Sequence, residues 1–215
     1  MGAAWGRAGV GSGGIAMDNS ASTRRRCPSS SAGTPRRSVL RGAAGLALAW
    51  MTPVRAIAQD TQSARPVPGD LLVKIGDEGA TPLTPADVSA DGTPTLAWPM
   101  TAEDRVVRSG SRLNRLVLVR LDPATLAEGT VVHAAEGVVA YSAVCTHTGC
   151  EVGAYLVEEH VLYCDCHESK FDPRDRARVV DGPAPRSLPA LPLGIAEGRL
   201  VVAAPFTARP GFAQA

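Results

Sequence analysis

Four of the chain's five cysteines and two of its four histidines fall inside two short stretches, CTHTGC from Cys145 to Cys150 and CDCHESKFD from Cys164 to Asp172. A fold that carries them must bring the two stretches to one place. Each offers one cysteine and one histidine at short spacing, Cys145-x-His147 and Cys164-x-x-His167, which leaves Cys150 and Cys166 facing each other. A strand pattern runs into each stretch: GVVAYSAV, 137–144, into Cys145, and the arm from His160 to Tyr163 into Cys164. Neighbouring positions in a single sheet would set the two loops side by side, and that is the expected arrangement.

Two kinds of metal centre fit two thiolates and two imidazoles. Zinc takes four such ligands tetrahedrally, but its common spacing pairs like with like. A two-iron, two-sulfide cluster with cysteines on one iron and histidines on the other suits loops that mix the two types.

The surrounding pattern is that of an all-β, antiparallel domain. Asp70–Ile75, Thr95–Trp98, 112–121, 137–144, Arg178–Val180 and Gly198–Ala203 read as short strands bounded by turn residues. Val152–Val157 and His160–Tyr163 read as a hairpin turning at Glu158-Glu159. Asp122-Pro123 matches a helix cap with proline in the first turn. The stretch 76–111 is dense in Gly, Pro, Thr and Asp and reads as long loops, free to serve as a partner-specific surface.

Charge is unevenly distributed. Residues 1–58 carry eight Lys/Arg against Asp18 alone, so the remaining chain holds 14 bases and 20 acids of the 22 and 21 in total. An acidic body excludes nucleic acid as the partner class, since phosphate binding needs a basic face. Within the head, Arg36-Arg37 precedes an apolar run from Gly42 to Val54 and the small-residue pattern Ala56-Ile57-Ala58. This resembles a twin-arginine export signal cleaved after Ala58, with Pro35 and Val39 departing from its usual pattern. A helix of that run reaches about 20 Å against about 30 Å of hydrocarbon, so membrane association is expected only if the signal stays on as an anchor. Met17 offers an alternative start.

C-T-H-x-G-C followed by C-x-C-H-x-S resembles the signature of Rieske iron–sulfur proteins, in particular those of ubiquinol–cytochrome c reductases and arsenite oxidases. That resemblance implies a [2Fe–2S] cluster, one iron held by Cys145 and Cys164 and the other by His147 and His167. It also implies a Cys150–Cys166 disulfide, a hydrogen bond from Ser169 to a cluster sulfide, and a covering proline loop at Gly182-Pro183-Ala184-Pro185. The chain as a whole reads as a disordered head with its signal (1–58), a tether (59–69) and one domain (70–215), in which the resemblance implies a cluster-binding subdomain at about 142–186. The implied role is one-electron transfer in the periplasm, as a subunit working between an oxidoreductase or quinol and a c-type cytochrome. Disulfides persist outside the cytoplasm, in keeping with export. A zinc-stabilised exported binding module and a Rieske ferredoxin feeding an oxygenase are the alternatives.

Four positions depart from the family pattern. Phe171 stands where many quinol-oxidising members have a tyrosine donor, Asp165 and Glu168 stand for a proline and a glycine, and Thr148 for a leucine. The lost donor and the added carboxylates should lower the potential. His160 reads as an exposed turn residue, His133 carries no assigned role, Tyr141 and Tyr163 read as packing, and Trp98 as an anchor for the segment 76–111. With no Ser-His-Asp order, phosphate-binding glycine loop or HExxH frame, no substrate pocket is expected.

Overall fold

The computed structural model describes residues 60–212, so the basic head with its twin-arginine pattern lies outside the described residues. Ten short strands make two antiparallel sheets. The larger contains β1 (Leu71–Lys74), β2 (Thr95–Met100), β3 (Leu116–Arg120), β4 (Val138–Ser142), β9 (Leu193–Ala196) and β10 (Arg199–Val202), in the order β4-β3-β2-β1-β10-β9. The smaller contains β5 (Ala154–Leu156), β6 (Val161–Cys164), β7 (Ser169–Asp172) and β8 (Arg178–Asp181), in sequence order. A four-residue helix, α1 (Glu128–Val131), precedes β4.

The larger sheet closes on itself. The segment leading into β9 ties back to β4 at the other edge, with Leu191 N donating to Ala140 O at 2.9 Å and Ser142 N to Pro189 O at 2.9 Å. Closure removes the unpaired edge that an open sheet would present.

β3 and β4 explain how the two sheets hold together. Side chains alternate across a strand, so a strand buried on both faces must be apolar throughout. β3 reads LVLVR and is buried at four of its five positions. Its Leu116 and Leu118 join Leu72, Val138, Ala140 and Leu200 in one core cluster. Its Val117 and Val119 join Val139, Tyr141, Leu162 and Phe171 in another, shared with the small sheet. Each fully buried aliphatic side chain contributes about 1.5–3 kcal/mol. Cys145 and Cys164 belong to the second cluster, so the floor of the motif region is the seam between the sheets.

Most expected strands are present, and the antiparallel all-β class holds. Three readings are corrected. Residues 112–121 are not one strand: Arg112–Asn114 forms a 3₁₀ turn before β3. Asn114 is the cause, because its buried Nδ2 donates to Ala64 O at 2.7 Å and to Arg108 O at 3.2 Å, contacts a regular strand would not permit. Strands β7 and β9 were not expected. Finally, the two motifs do not leave neighbouring strands of one sheet: β4 belongs to the large sheet and β6 to the small one.

The stretch 60–69 lies against the barrel. Arg65 Nη1 donates to Leu113 O at 3.0 Å, and Gly69 N to Val202 O at 2.9 Å. A buried ion pair anchors it: Arg108 Nε lies 2.6 Å from Asp70 Oδ2, Nη2 lies 3.1 Å from Oδ1, and Nη1 donates to Thr61 O at 3.1 Å. Trp98 packs with Leu71, Val73 and Met100. The Arg115 guanidinium sits 5.5 Å over its ring and pairs with Glu151. Removing one partner of a buried pair strands a charge. Arg108→Met should therefore cost about 3–5 kcal/mol in chemical denaturation, and a second change, Asp70→Leu, should restore most of that loss.

Candidate metal centre

The first loop leaves β4 and folds back at once. Cys145 N donates to Cys150 O at 2.8 Å and Gly149 N to Cys145 O at 3.0 Å, so CTHTGC forms a tight closed turn. The second loop joins β6 to β7, and Glu168 N donates to Cys164 O at 3.0 Å across it. Glu168 takes a left-handed backbone, φ 60°, at a position where the sequence resemblance places a glycine.

A disulfide between Cys150 and Cys166 links the two loops, with the Cα atoms 6.4 Å apart. Cys145 and Cys164 are both free and buried. The Cys164 sulfur lies within 4.8 Å of the two disulfide sulfurs. Burial pushes its thiol pKa above the ordinary value, and the neighbouring Cys145 adds to the rise. The rings of His147 and His167 meet edge to face with centroids 4.6 Å apart. His147 is half-buried and His167 exposed. All six motif residues are thus brought together.

Two buried polar atoms at this place have no hydrogen-bond partner among the described residues: His147 Nδ1 and Ser169 Oγ. A fully buried hydroxyl left unpaired is costly, and such an orphan points to a group that completes it. Two buried thiols, two adjoining imidazoles, an orphaned ring nitrogen and an orphaned hydroxyl are the donor set that a two-iron cluster needs.

A third segment closes over the second loop. Gly182 has φ 84°, and a Cβ there would lie 2.5 Å from Ser169 Cα and 2.8 Å from Glu168 O, so only glycine lets the 182–185 loop approach so closely. Pro183 is exposed and Ala184 buried beside it. Sequence reasoning missed the tie between this loop and the first: Thr146 Oγ1 donates to Arg186 O at 2.6 Å. A threonine next to a candidate ligand was the available signal. Tyr141, read as packing, also donates from its hydroxyl to Pro173 O at 2.7 Å, linking β4 to the β7–β8 turn. Phe171 is fully buried in the shared core. Asp165 and Thr148 are exposed in the two loops, as is His160 at its hairpin turn.

A family model described as the Rieske [2Fe-2S] domain matches residues 101–192. The chain is 37% identical over 130 residues to the cytochrome bc1 complex Rieske iron-sulfur subunit of Streptomyces lividans, covering 59% of this chain and 75% of that one. It is 37% identical over 130 residues to the subunit of the same description from Streptomyces coelicolor, covering 59% of this chain and 36% of that one. Among solved structures it is similar to the ferredoxin of carbazole 1,9a-dioxygenase from Nocardioides aromaticivorans IC177, with 18% identity and a TM-score of 0.39 over 62% of this chain and 98% of that one. The chain belongs to the Rieske iron–sulfur family. Its cofactor is a [2Fe–2S] cluster, and its function is electron transfer.

Two outcomes follow from this geometry. A disulfide closing a loop of about this length contributes about 3 kcal/mol in the chain-entropy account. Replacing Cys150 and Cys166 together by serine should lower unfolding free energy by about that amount and shorten the lifetime of the visible absorption band. The second outcome concerns Asp172 at the end of β7. Burial raises its pKa, but Arg174 outweighs burial through Nε at 2.9 Å, Nη2 at 3.2 Å and its own N–H at 3.0 Å, so the net shift is downward from 3.8. The resulting stability is present above the unfolded-state value and is lost as pH falls through the depressed folded one. Arg174→Met should destabilise the protein at pH 7, and the difference from the parent chain should shrink to nothing in strong acid, read from urea midpoints across pH.

Proposed function

We propose that this chain carries single electrons in the periplasm, as a subunit working between an oxidoreductase or quinol and a c-type cytochrome. The observation that carries this reading is a pair of buried free thiols, Cys145 and Cys164, beside a histidine pair whose outer member, His167, is exposed. In this reading Cys145 and Cys164 would hold one iron as thiolates, and His147 and His167 would hold the other through ring nitrogens. Bound there, a [2Fe–2S] group would supply one-electron chemistry at a potential raised by imidazole ligands. The Ser169 hydroxyl would donate toward a sulfide of that group, which would satisfy its unpaired Oγ. The loop of Gly182 and Pro183 limits water at the same place.

His167 is then the point of exit to a partner. Asp165 and Glu168 are exposed in its loop, and this favours a partner with a basic face. The relatives described as cytochrome bc1 subunits support a cytochrome as that partner. Export by the twin-arginine pattern at Arg36-Arg37 agrees with the disulfide, a bond that reducing cytoplasm does not preserve. The disulfide also weighs against a ferredoxin that feeds an oxygenase. Among the described residues no helix is long and apolar enough to cross a membrane. The small sheet and its flanking loops, about 142–186, act as the cluster-binding subdomain within 70–215.

Redox titration followed by EPR tests the reading. The reduced protein should give a rhombic signal with g values averaging below two. Glu168→Gly removes a carboxylate beside a site that gains negative charge, and it relieves a left-handed backbone. It should raise the midpoint by less than the ~59 mV that marks a tenfold change for one electron. A colourless protein holding zinc would end the proposal, and a fall in midpoint for Glu168→Gly would overturn the role given to that carboxylate.

A further inference from the structure

The C-terminal residues 207–212 run back from the barrel to the first motif loop. At one end Thr207 exchanges two hydrogen bonds with Ala190, Thr207 N to Ala190 O at 2.9 Å and Ala190 N to Thr207 Oγ1 at 3.0 Å. At the other end two glycines allow close contact. A Cβ on Gly211 would lie 2.9 Å from Leu113 Cδ2 and 3.6 Å from Val144 Cγ1, and one on Gly149 would lie 2.9 Å from the Phe212 ring. Both glycines have positive φ, 79° and 83°. The strap therefore lies directly on the loop that carries Cys145 and His147.

Thr207 and Ala208 line an open pocket of about 460 Å³ together with Arg176, Arg178, Arg186 and Leu188. Thr207, Ala208 and Arg209 are exposed while Pro210 and Gly211 are buried, and point contacts from the body fix the strap along its length. The central one is Arg186, whose Nη2 donates to Arg209 O at 2.8 Å and also to Gly211 O. The same residue, through its own carbonyl, accepts the Thr146 hydroxyl from the first loop. It directly follows the 182–185 loop that closes over Ser169. One residue thus joins the first loop, the covering loop and the strap. Hydrogen bonds from a charged donor are among the stronger ones in a folded chain.

We infer that Arg186 is a positioning residue for electron transfer: it clamps the strap 207–212 onto the loop 144–149 and so holds the Cys145 and His147 side chains at a fixed place. This rests on the reading of those two side chains as cluster ligands.

Two variants of the full chain lift the strap from opposite sides. Arg186→Met removes the donors. Gly211→Val leaves Arg186 and the net charge intact but cannot keep either the positive φ or the contact with Leu113. Amide hydrogen exchange should speed up about tenfold or more at 146–149 and at 211–212 in both variants, while Val117 and Leu118 in the barrel exchange as before. The EPR lines of the reduced protein should broaden in both, because the ligand loop then samples several positions. Arg186→Lys, which keeps a charged donor, should recover part of the exchange protection and the sharper lines. Unchanged exchange at 146–149 in either variant, or broadening equally present in Arg186→Lys and Arg186→Met, would overturn the clamp. If the parent chain gives no EPR signal, the cluster reading fails instead, and the exchange data still decide whether the strap is clamped.

Discussion

Everything at the metal centre depends on two loops from different sheets being held within reach of each other. The Cys150–Cys166 bond does this covalently. Hydrophobic burial alone would fix the sheets and leave the loops to their own entropy, because each carries few apolar side chains. The bond is supported by short backbone ties inside each loop and by Thr146, which fastens the first loop to the segment following the covering loop. The seam between the sheets supplies the floor, with Val117, Tyr141, Leu162 and Phe171 packed beneath Cys145 and Cys164. β3 is apolar on both faces for this reason, one row serving the barrel and the other the seam.

The site itself runs against the rules that govern the rest of the chain. Two thiols are buried, one with its pKa pushed up by burial, and a hydroxyl and a ring nitrogen are buried without partners. Away from it, Asp70 is paired with Arg108 and Asn114 with two carbonyls, and Arg115 Nε is the one further orphan among the described residues. That contrast marks the centre more sharply than any single motif residue. It also explains why the barrel closes its edges and anchors residues 60–69 firmly: unsatisfied groups at the centre need a rigid frame that does not collapse around them.

Much of this was legible in the sequence. Cys145, His147, Cys164 and His167 stood out by type and spacing, four residues of metal-ligating type within 23 positions, 145–167. β3 was readable from its aliphatic run LVLV and β4 from the apolar stretch VVAY. What was hidden was hidden for physical reasons. β7 lies inside SKFD, where polar and motif residues mask the alternation of a four-residue strand. Arg112–Asn114 has strand-like neighbours, but Asn114 obeys a tertiary demand for two distant carbonyls. That the motif loops leave separate sheets follows from topology, which a single sequence does not display. The strap gave only faint signs, a GF pair near the end of the chain and a lone arginine after GPAP, because its meaning lies in contacts 23 and 25 residues apart.

Nitrogen-coupled pulsed EPR on reduced protein labelled with ¹⁵N-histidine tests the central claim most directly. The account predicts two strongly coupled histidine nitrogens, with one lost or replaced when His147 or His167 is changed to cysteine and no change when His133 or His160 is altered. A cluster signal without histidine coupling, or coupling insensitive to both His147 and His167, would contradict it.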